Sequence, residues 1–446
     1  MTPPRLFGTD GVRGTAGRPP LDAPTVRRLG AALVRALPSG GSTRLLIGRD
    51  TRESGTWIER ELACGSVAQG AVVTSAGVVP TPAIAYLARQ GGFSAGVMIS
   101  ASHNPFEDNG IKVFSGAGEK FTETLERHVE GIMADSSWSV PAGEAPPVPG
   151  QDLVGPYLDH LEAILPGPFR MPGTRLAIDC ANGATSAVAP RLFRELGFDV
   201  TCLSCEPTGR NINLDCGSTH PEALSAVVRA DGFALGVAFD GDGDRAIFVD
   251  EHGRVVDGDA ILLLCARQLQ AEGRLRNHAI VATVMSNVGL EVALRALGID
   301  LVRCSVGDKY VMEEMIARGL SLGGEQSGHI IFSEYLFTGD GLCTALNVLR
   351  TMAATRRSLH DLAAALVPFP QVLLNVRVRE KVDLTTVPAV ASVMDRVKGL
   401  LANDGRLLVR YSGTEPLLRV MLEGPDRTLI QQWGEEIVSA VRESLA

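Results

Sequence analysis

Three aspartates stand two residues apart in Asp240-Gly241-Asp242-Gly243-Asp244-Arg245. Carboxylates at this spacing, separated by glycines that accept positive-φ turns, can fold onto one cation. Three like charges so close repel one another, which makes a purely structural role hard to justify. All-oxygen ligation selects a hard cation, Mg²⁺ or Ca²⁺. A calcium EF-hand is the competing reading, because Asp240, Asp242, Asp244 and Glu251 fall at its loop positions 1, 3, 5 and 12. It fails on two counts. Position 6 is Arg245 where the loop needs glycine, and the flanking apolar runs, 235–239 and 246–249, read as strands where an EF-hand needs helices. With only three carboxylates, Mg²⁺ keeps room for a ligand from a phosphate.

Three other polar segments also sit where a strand should end. Ser100-Ala101-Ser102-His103-Asn104-Pro105 follows the apolar run Gly96-Val97-Met98-Ile99. The carboxyl end of a strand is where α/β sheets present ligand-binding groups, although a capped turn explains a lone Ser-His pair equally well. No GxSxG surrounds Ser102, which disfavours a hydrolase triad. Gly323-Gly324-Glu325-Gln326-Ser327-Gly328-His329 offers a carboxylate, an amide, a hydroxyl and an imidazole, a set that can bind several sugar hydroxyls or simply form a polar turn. Arg410-Tyr411-Ser412-Gly413-Thr414-Glu415-Pro416, with Arg419 beyond it, reads as an anion nest that clamps a phosphate, against an ordinary hairpin loop. Arg13 and Lys112 sit beside glycine-containing turns and, taken alone, read as surface charges. Cys202 and Cys205 form a CxxC with Cys216 eleven residues on, but a zinc site needs a fourth ligand and usually a second close pair.

The elements that must position these loops alternate apolar β-like runs with helix-period segments, which reads as α/β. Strands are expected at 45–47, 72–73, 95–99, 176–178, 235–239, 246–249, 280–284 and 301–303, and helices at 57–69, 188–196 and 261–269. Leu224, Val227 and Val228 mark a further helix by their i, i+3, i+4 spacing, and one long helical region ends near Leu366. The Pro/Gly-dense stretch 141–150 is the clearest boundary, and Val367-Pro368-Phe369-Pro370 marks the last. Beyond it the order strand, helix, two strands, helix makes a small α+β module. The chain has 446 residues, about three domains by length alone, but these breaks divide it into four: 1–150, 151–256, 257–368 and 369–446.

Composition narrows the function. Lys and Arg number 42 against 51 Asp and Glu, a formal charge of −9, which argues against nucleic-acid or membrane-surface partners. The longest apolar run, 260–266, is far short of the roughly 20 residues that span a bilayer, and the N-terminus lacks a signal-peptide h-region. Eight scattered cysteines suit a reducing compartment, so a soluble cytoplasmic protein is expected. One loop per domain points to a single site at their junction. A serine, a Mg²⁺ loop, a polyol-binding loop and a phosphate clamp together describe phosphoryl transfer on a phosphosugar.

At this point the sequence resembles the α-D-phosphohexomutase superfamily from Phe7-Gly8-Thr9-Asp10-Gly11-Val12-Arg13-Gly14 to Arg419, with all four loops in order. The first motif and Gln326 resemble its glucosamine-phosphate branch more than its phosphomannomutase/phosphoglucomutase branch, which stays as the alternative. The resemblance implies a heart-shaped, four-domain architecture of three α/β domains plus a small C-terminal α+β domain, and also a homodimer. It implies a phosphoserine at Ser102, and one Mg²⁺ per active site held by Asp240, Asp242, Asp244 and a phosphoserine oxygen. It places Glu325, Ser327 and His329 on the substrate, and Arg410, Ser412, Gly413, Thr414 and Arg419 on its non-reacting phosphate. Lys309 stands where this branch usually has arginine and so loses bidentate geometry toward phosphate. His103, Lys112, Arg13 and Arg245 are the candidates for proton transfer, with no choice among them. The implied reaction interconverts glucosamine 6-phosphate and glucosamine 1-phosphate, with a sugar 1,6-bisphosphate as intermediate and activator, and feeds UDP-N-acetylglucosamine synthesis. A non-catalytic phosphosugar-binding protein on this scaffold would be expected to lose Ser102 or one of the metal-loop aspartates, and all are present.

Overall fold

The computed structural model describes residues 5–38, 42–141, 148–167, 169–402, 404–411 and 417–445. The chain forms two compact units, Met1–Met285 with Val302–Ala364, and Ser286–Leu301 with Ala365–Ala446.

The first sheet of the first unit has the strand order Val12–Thr15, Asp108–Ser115, Ala95–Ile99, Arg44–Arg49, Val72–Val78. The last three strands are parallel, and Asp108–Ser115 runs antiparallel to both of its neighbours. Ala95–Ile99 is buried at every position, as a central strand covered on both faces must be, and so it reads as a continuous apolar run. Leu45, Ile47, Val97 and Ile99 share one core with Leu29 and Leu33 of helix Ala23–Ala36 and Ile58 and Leu62 of helix Gly55–Val67. On the other face Ile84 of helix Thr81–Gln90 fills the space above Gly48 and Gly96. The helices Ala23–Ala36 and Gly55–Val67 cross at backbone contact. A Cβ on Gly65 would stand 1.8 Å from the Arg27 carbonyl oxygen, so no larger residue fits there without separating the helices.

The second sheet has the order Val255–Val256, Ala246–Asp250, Leu235–Phe239, Arg175–Asp179 and Asp199–Leu203; its last four strands repeat the first sheet's topology, while its edge strand comes last in the chain rather than first. Its helix Glu222–Asp231 buries Leu224 and Val228, as their spacing predicts. In the third sheet Ala279–Thr283 runs parallel to Leu322–Gly324, which pairs antiparallel with Ile330–Phe332. The long helical region expected to end near Leu366 consists of two helices. Helix Gly341–Thr355 stops where Arg356 takes φ +53°, and Ser358 caps a new short helix, Leu359–Ala363, by accepting from the Asp361 N–H.

The second unit centres on an antiparallel sheet with Leu417–Glu423 between Gln371–Arg377 and Arg406–Tyr411. Helices Pro388–Leu401 and Arg427–Leu445 bury Val390, Val397, Ile430 and Ile437 in its core. Helix Val288–Ala296 belongs to the same unit. The Glu423 carboxylate accepts from the Val288 N–H (3.2 Å) and from Asn287 Nδ2 (3.3 Å), and Asn287 Oδ1 accepts from the Phe369 N–H (2.9 Å). Among the described residues no helix is long and apolar enough to cross a membrane.

Candidate active site

Three of the polar segments, those of Ser102, Asp240–Asp244 and Glu325, each join two antiparallel strands, so each is a hairpin connection pinned by a ladder on both sides. The serine segment leaves Ala95–Ile99 and re-enters the sheet as Asp108–Ser115. Ser102 is fully buried and has φ +52°, a conformation few non-glycine residues adopt. Its N–H donates to Ser100 Oγ (2.9 Å), which donates in turn to Asp50 Oδ2 (2.6 Å). The fully buried Arg52 donates to the carbonyl oxygens of Ser102 (3.0 Å), Asn104 (2.8 Å), Asp108 (3.0 Å) and Pro105, and pairs with Asp50 (2.9 Å). Asn213 Nδ2 also donates to the Ser102 and Asn104 carbonyls, at 2.8 and 2.9 Å. A strained serine persists here because its surroundings over-determine it.

Ser102 Oγ donates to Asp240 Oδ2 at 2.5 Å and lies 3.3 Å from His103 Nδ1. The metal-loop carboxylates are all buried. Lys112, surface-like in sequence, is buried with its Nζ 2.8 Å from Asp242 Oδ2, 3.1 Å from Asp244 Oδ2 and 3.2 Å from Asp10 Oδ2. Burial opposes its charge, but Asp10, Asp242 and Asp244 outweigh burial and hold the ammonium well above its usual pKa. Burial and the Asp244 and Asp242 carboxylates push Asp240 well above the usual carboxylate range. Asp244 goes the other way, to about 2, because Lys112, His329 and Arg245 overcome its burial. These residues fit a hard divalent cation. Carboxylate oxygens of Asp240, Asp242 and Asp244 lie within 4.8 Å of one another, and Asp242 Oδ1 and Asp244 Oδ1 are buried without a hydrogen-bond partner.

A cavity of about 500 Å³ opens beside this cluster. Arg13, His103, Asp244, Arg245, Glu325 and His329 line it, so the structure brings six of the residues marked in sequence to one space. Burial, Arg245 and Arg13 pull the His103 pKa down to about 4, which leaves its ring neutral at pH 7. His329 differs: burial disfavours its charge, but Asp308, 3.3 Å from Nε2, and Asp244 raise its pKa. Glu325 Oε1 accepts from the Gly307 N–H (3.1 Å) at the cavity wall. Ser327 is exposed and is not among the lining residues. Lys309 is buried and engaged elsewhere, with Nζ 2.6 Å from Glu126 Oε2. In the second unit Arg410 and Arg419 are register partners on adjacent strands. Ser412, Gly413 and Thr414 of the expected phosphate clamp lie outside the described residues.

Sequence reasoning passed over several groups. Asp10 pairs with Lys112, Lys120 and Arg13, and Asp308 pairs with Lys120 and His329. Asp10 sits in the 7–14 motif three residues before Arg13, and Asp308 directly precedes Lys309, so in each case the nearby cation drew attention instead. Asp50 and Arg52 follow strand Arg44–Arg49, the same strand-end position that singled out Ser102. Thr81, which donates to Asp242 Oδ2 at 2.5 Å, carries no comparable signal.

Family models described as phosphoglucomutase/phosphomannomutase alpha/beta/alpha domains I, II and III match residues 4–139, 155–253 and 257–369, and the model of the family's C-terminal domain matches 373–440. Phosphoglucosamine mutase of Solibacter usitatus is 50% identical over 99% of this chain and 99% of its own. Phosphoglucosamine mutase of Geobacter sp. (strain M21) is 45% identical over 99% and 98%. The chain belongs to the phosphoglucosamine mutase family. The four-domain architecture of that family, three α/β/α domains and a C-terminal domain, is the one expected from the motifs. Solved structures share the fold. A phosphoglucomutase/phosphomannomutase family protein from Burkholderia thailandensis has a TM-score of 0.81 at 24% identity, covering 99% of this chain and 98% of that one. Aspergillus fumigatus N-acetylphosphoglucosamine mutase, solved with GlcNAc-6P and magnesium, has a TM-score of 0.66 at 18% identity, covering 98% and 95%.

Proposed function

We propose that this phosphoglucosamine mutase family member interconverts glucosamine 6-phosphate and glucosamine 1-phosphate, with Ser102 as the phosphoryl carrier. The observation that carries the reading is the buried contact of Ser102 Oγ with Asp240 at the edge of a cavity lined by arginine and histidine. Ser102 gives its phosphoryl group to O1 of the 6-phosphate: the bond from phosphorus to Oγ breaks and one to O1 forms. After the 1,6-bisphosphate turns over, Ser102 takes the group back from O6 and the 1-phosphate leaves. His103, whose Nδ1 lies 3.3 Å from Ser102 Oγ, is placed to accept the proton of the attacking sugar hydroxyl and return it to the leaving oxygen. Arg13 and Arg245, each with a buried Nε that has no hydrogen-bond partner, face the phosphate charge from the cavity wall. Lys112 neutralises the metal-loop carboxylates, and Glu325 and His329 orient the sugar.

Asp240, Asp242, Asp244 and an oxygen on Ser102 would hold Mg²⁺, which when bound supplies charge neutralisation at the transferring phosphoryl group. In this reading the domains run 1–150, 151–256, 257–368 and 369–446, and Arg410, Ser412, Gly413, Thr414 and Arg419 hold the non-reacting phosphate. Eight free thiols support a cytoplasmic setting.

Ser102→Ala tests the reading. The variant is expected to keep its far-UV spectrum and lose nearly all turnover of glucosamine 6-phosphate, while intact mass shows a phosphate on the native protein alone. Wild-type turnover by the variant would refute the assignment. Coupled assays with glucose and mannose 6-phosphates decide whether the phosphomannomutase/phosphoglucomutase alternative holds.

A further inference from the structure

The CxxC of the second sheet takes no part in the proposed reaction, yet it lies against the scaffold of both reacting loops. Strands Arg175–Asp179 and Asp199–Leu203 are parallel neighbours. Just past their ends, the Cys180 N–H and the Cys205 Sγ both donate to the Leu203 carbonyl oxygen, each at 3.2 Å. The Cys205 thiol neighbours the thiol of Cys180, which is fully buried, and that of the half-buried Cys202. Arg194 Nη2 stands 3.5 Å from Cys202 Sγ. Contact with Cys180 comes first among the causes that lower the Cys205 pKa, whereas burial pushes Cys180 well above the usual thiol range. Cys205 is half-buried where Cys180 is fully buried, so peroxide reaches Cys205 first and Cys180 stands behind it as the resolving thiol. Among the described residues, the groups placed to close on a metal ion are Asp240, Asp242 and Asp244, and Asp244, Asp308 and His329, and these thiols are in neither.

The turn that begins at Cys180 braces the site. Ala181 and Asn182 both have positive φ. The Ala184 N–H donates to the Gly241 carbonyl oxygen (2.8 Å), inside the metal loop. The Ala181 carbonyl accepts from the Asn213 N–H (2.9 Å), and Asn213 holds the carbonyls of Ser102 and Asn104. The Asn182 carbonyl accepts from Thr51 Oγ1 (2.6 Å), next to Arg52. A displacement of Cys180 therefore reaches the metal loop and the serine loop through single hydrogen bonds.

We propose that Cys205 and Cys180 form an oxidation site through which peroxide slows phosphoryl transfer. Cys205 attacks hydrogen peroxide: the O–O bond breaks, a sulfenic acid forms and hydroxide leaves. The Cys180 thiol then attacks the Cys205 sulfur, forming an S–S bond and releasing water. The two thiols lose two electrons in total and the peroxide gains them. The bond draws Cys180 toward Cys205 and away from the position that braces Gly241 and Asn213. A thiol reductant reverses the step.

The full-length, reduced protein is treated with hydrogen peroxide, alkylated, digested and mapped by mass spectrometry, with mutase activity followed in parallel. The expected result is a linked peptide joining Cys180 to Cys205, loss of most of the activity, and recovery of both states with dithiothreitol. C205S is expected to keep its basal activity and resist peroxide, and C202S to remain sensitive. No linked peptide, a link between other cysteines, or equal inactivation of C205S would each overturn the proposal. The peptide readout stands apart from turnover, so its failure is distinguishable from failure of the proposed reaction.

Discussion

Arg52 is the residue on which the serine loop hangs. Its guanidinium answers carbonyls at four positions of that loop, and none of its surface is exposed. Lysine preserves the charge beside Asp50 but cannot spread its donors in a planar fork. Arg52→Lys is therefore expected to leave buried carbonyls unsatisfied, at a cost of about 1–3 kcal/mol in urea unfolding. Turnover should fall more than KM rises, because the loop presents the reacting hydroxyl. A variant with wild-type kcat would show that Ser102 holds its left-handed conformation without this support. Lys112 teaches a related lesson about reading charges singly. Alone in the sequence it looks like a solvated cation. Only the fold reveals that strand Asp108–Ser115 carries it into a buried carboxylate cluster.

Among the elements, the legible ones obey a simple period. Ala95–Ile99 and Leu235–Phe239 are buried on both faces and appear in the sequence as unbroken apolar runs. Asp108–Ser115 is buried almost as fully but opens with Asp-Asn-Gly and includes Lys112, so its polar content hides it. Helix Thr81–Gln90 opens on Thr-Pro straight after Pro80, a signal shared by turns and helix starts. Helix Ala23–Ala36 is absent from the sequence reading although Val26, Leu29 and Leu33 give it an i, i+3, i+7 period behind the Asp22 cap; it makes close contact with Gly55–Val67 through Gly30. That crossing can be tested. Gly65→Ala puts a methyl against the Arg27 carbonyl and should cost about 1–3 kcal/mol, read as a lowered denaturant midpoint. A second element-scale test concerns Asp340, the N-cap of helix Gly341–Thr355, which also accepts from Tyr157 OH (2.8 Å). Burial raises its pKa to about 6. Between pH 4 and 6 the folded chain keeps a proton that the unfolded chain has released, so raising the pH through this window lowers stability. Asp340→Asn keeps one acceptor oxygen for the Cys343 N–H, places an amide donor toward Tyr157, as the protonated carboxyl would, and loses the titration. The stability of the variant relative to wild type should climb from pH 4 to pH 7 by up to roughly 3 kcal/mol, at 1.36 kcal/mol per pKa unit. A flat difference would mean that Asp340 titrates normally.

At the scale of the whole molecule, the net charge of −9 conceals a local reversal. Arg13 and Arg245 line the cavity, and Lys112 and Lys120 stand behind it against acidic partners. A doubly charged phosphosugar is therefore drawn to a small basic region of an acidic protein. KM for the 6-phosphate should rise with ionic strength while kcat changes little, because screening acts on the half-buried cavity arginines more than on the fully buried carboxylate cluster. Salt-independent KM would place recognition on the sugar rather than on its charge. How the parts share the chain has another consequence. The second unit is assembled from two separate stretches, and Glu423 in one receives the Val288 N–H in the other. It cannot be exchanged with a relative's by one crossover near residue 365. Such a chimaera would pair a foreign strand with the resident Val288–Ala296 helix. Recombination that preserves the fit needs breakpoints on both sides of 286–301 as well, so this unit should be inherited as a linked pair of segments rather than as a detachable C-terminal module.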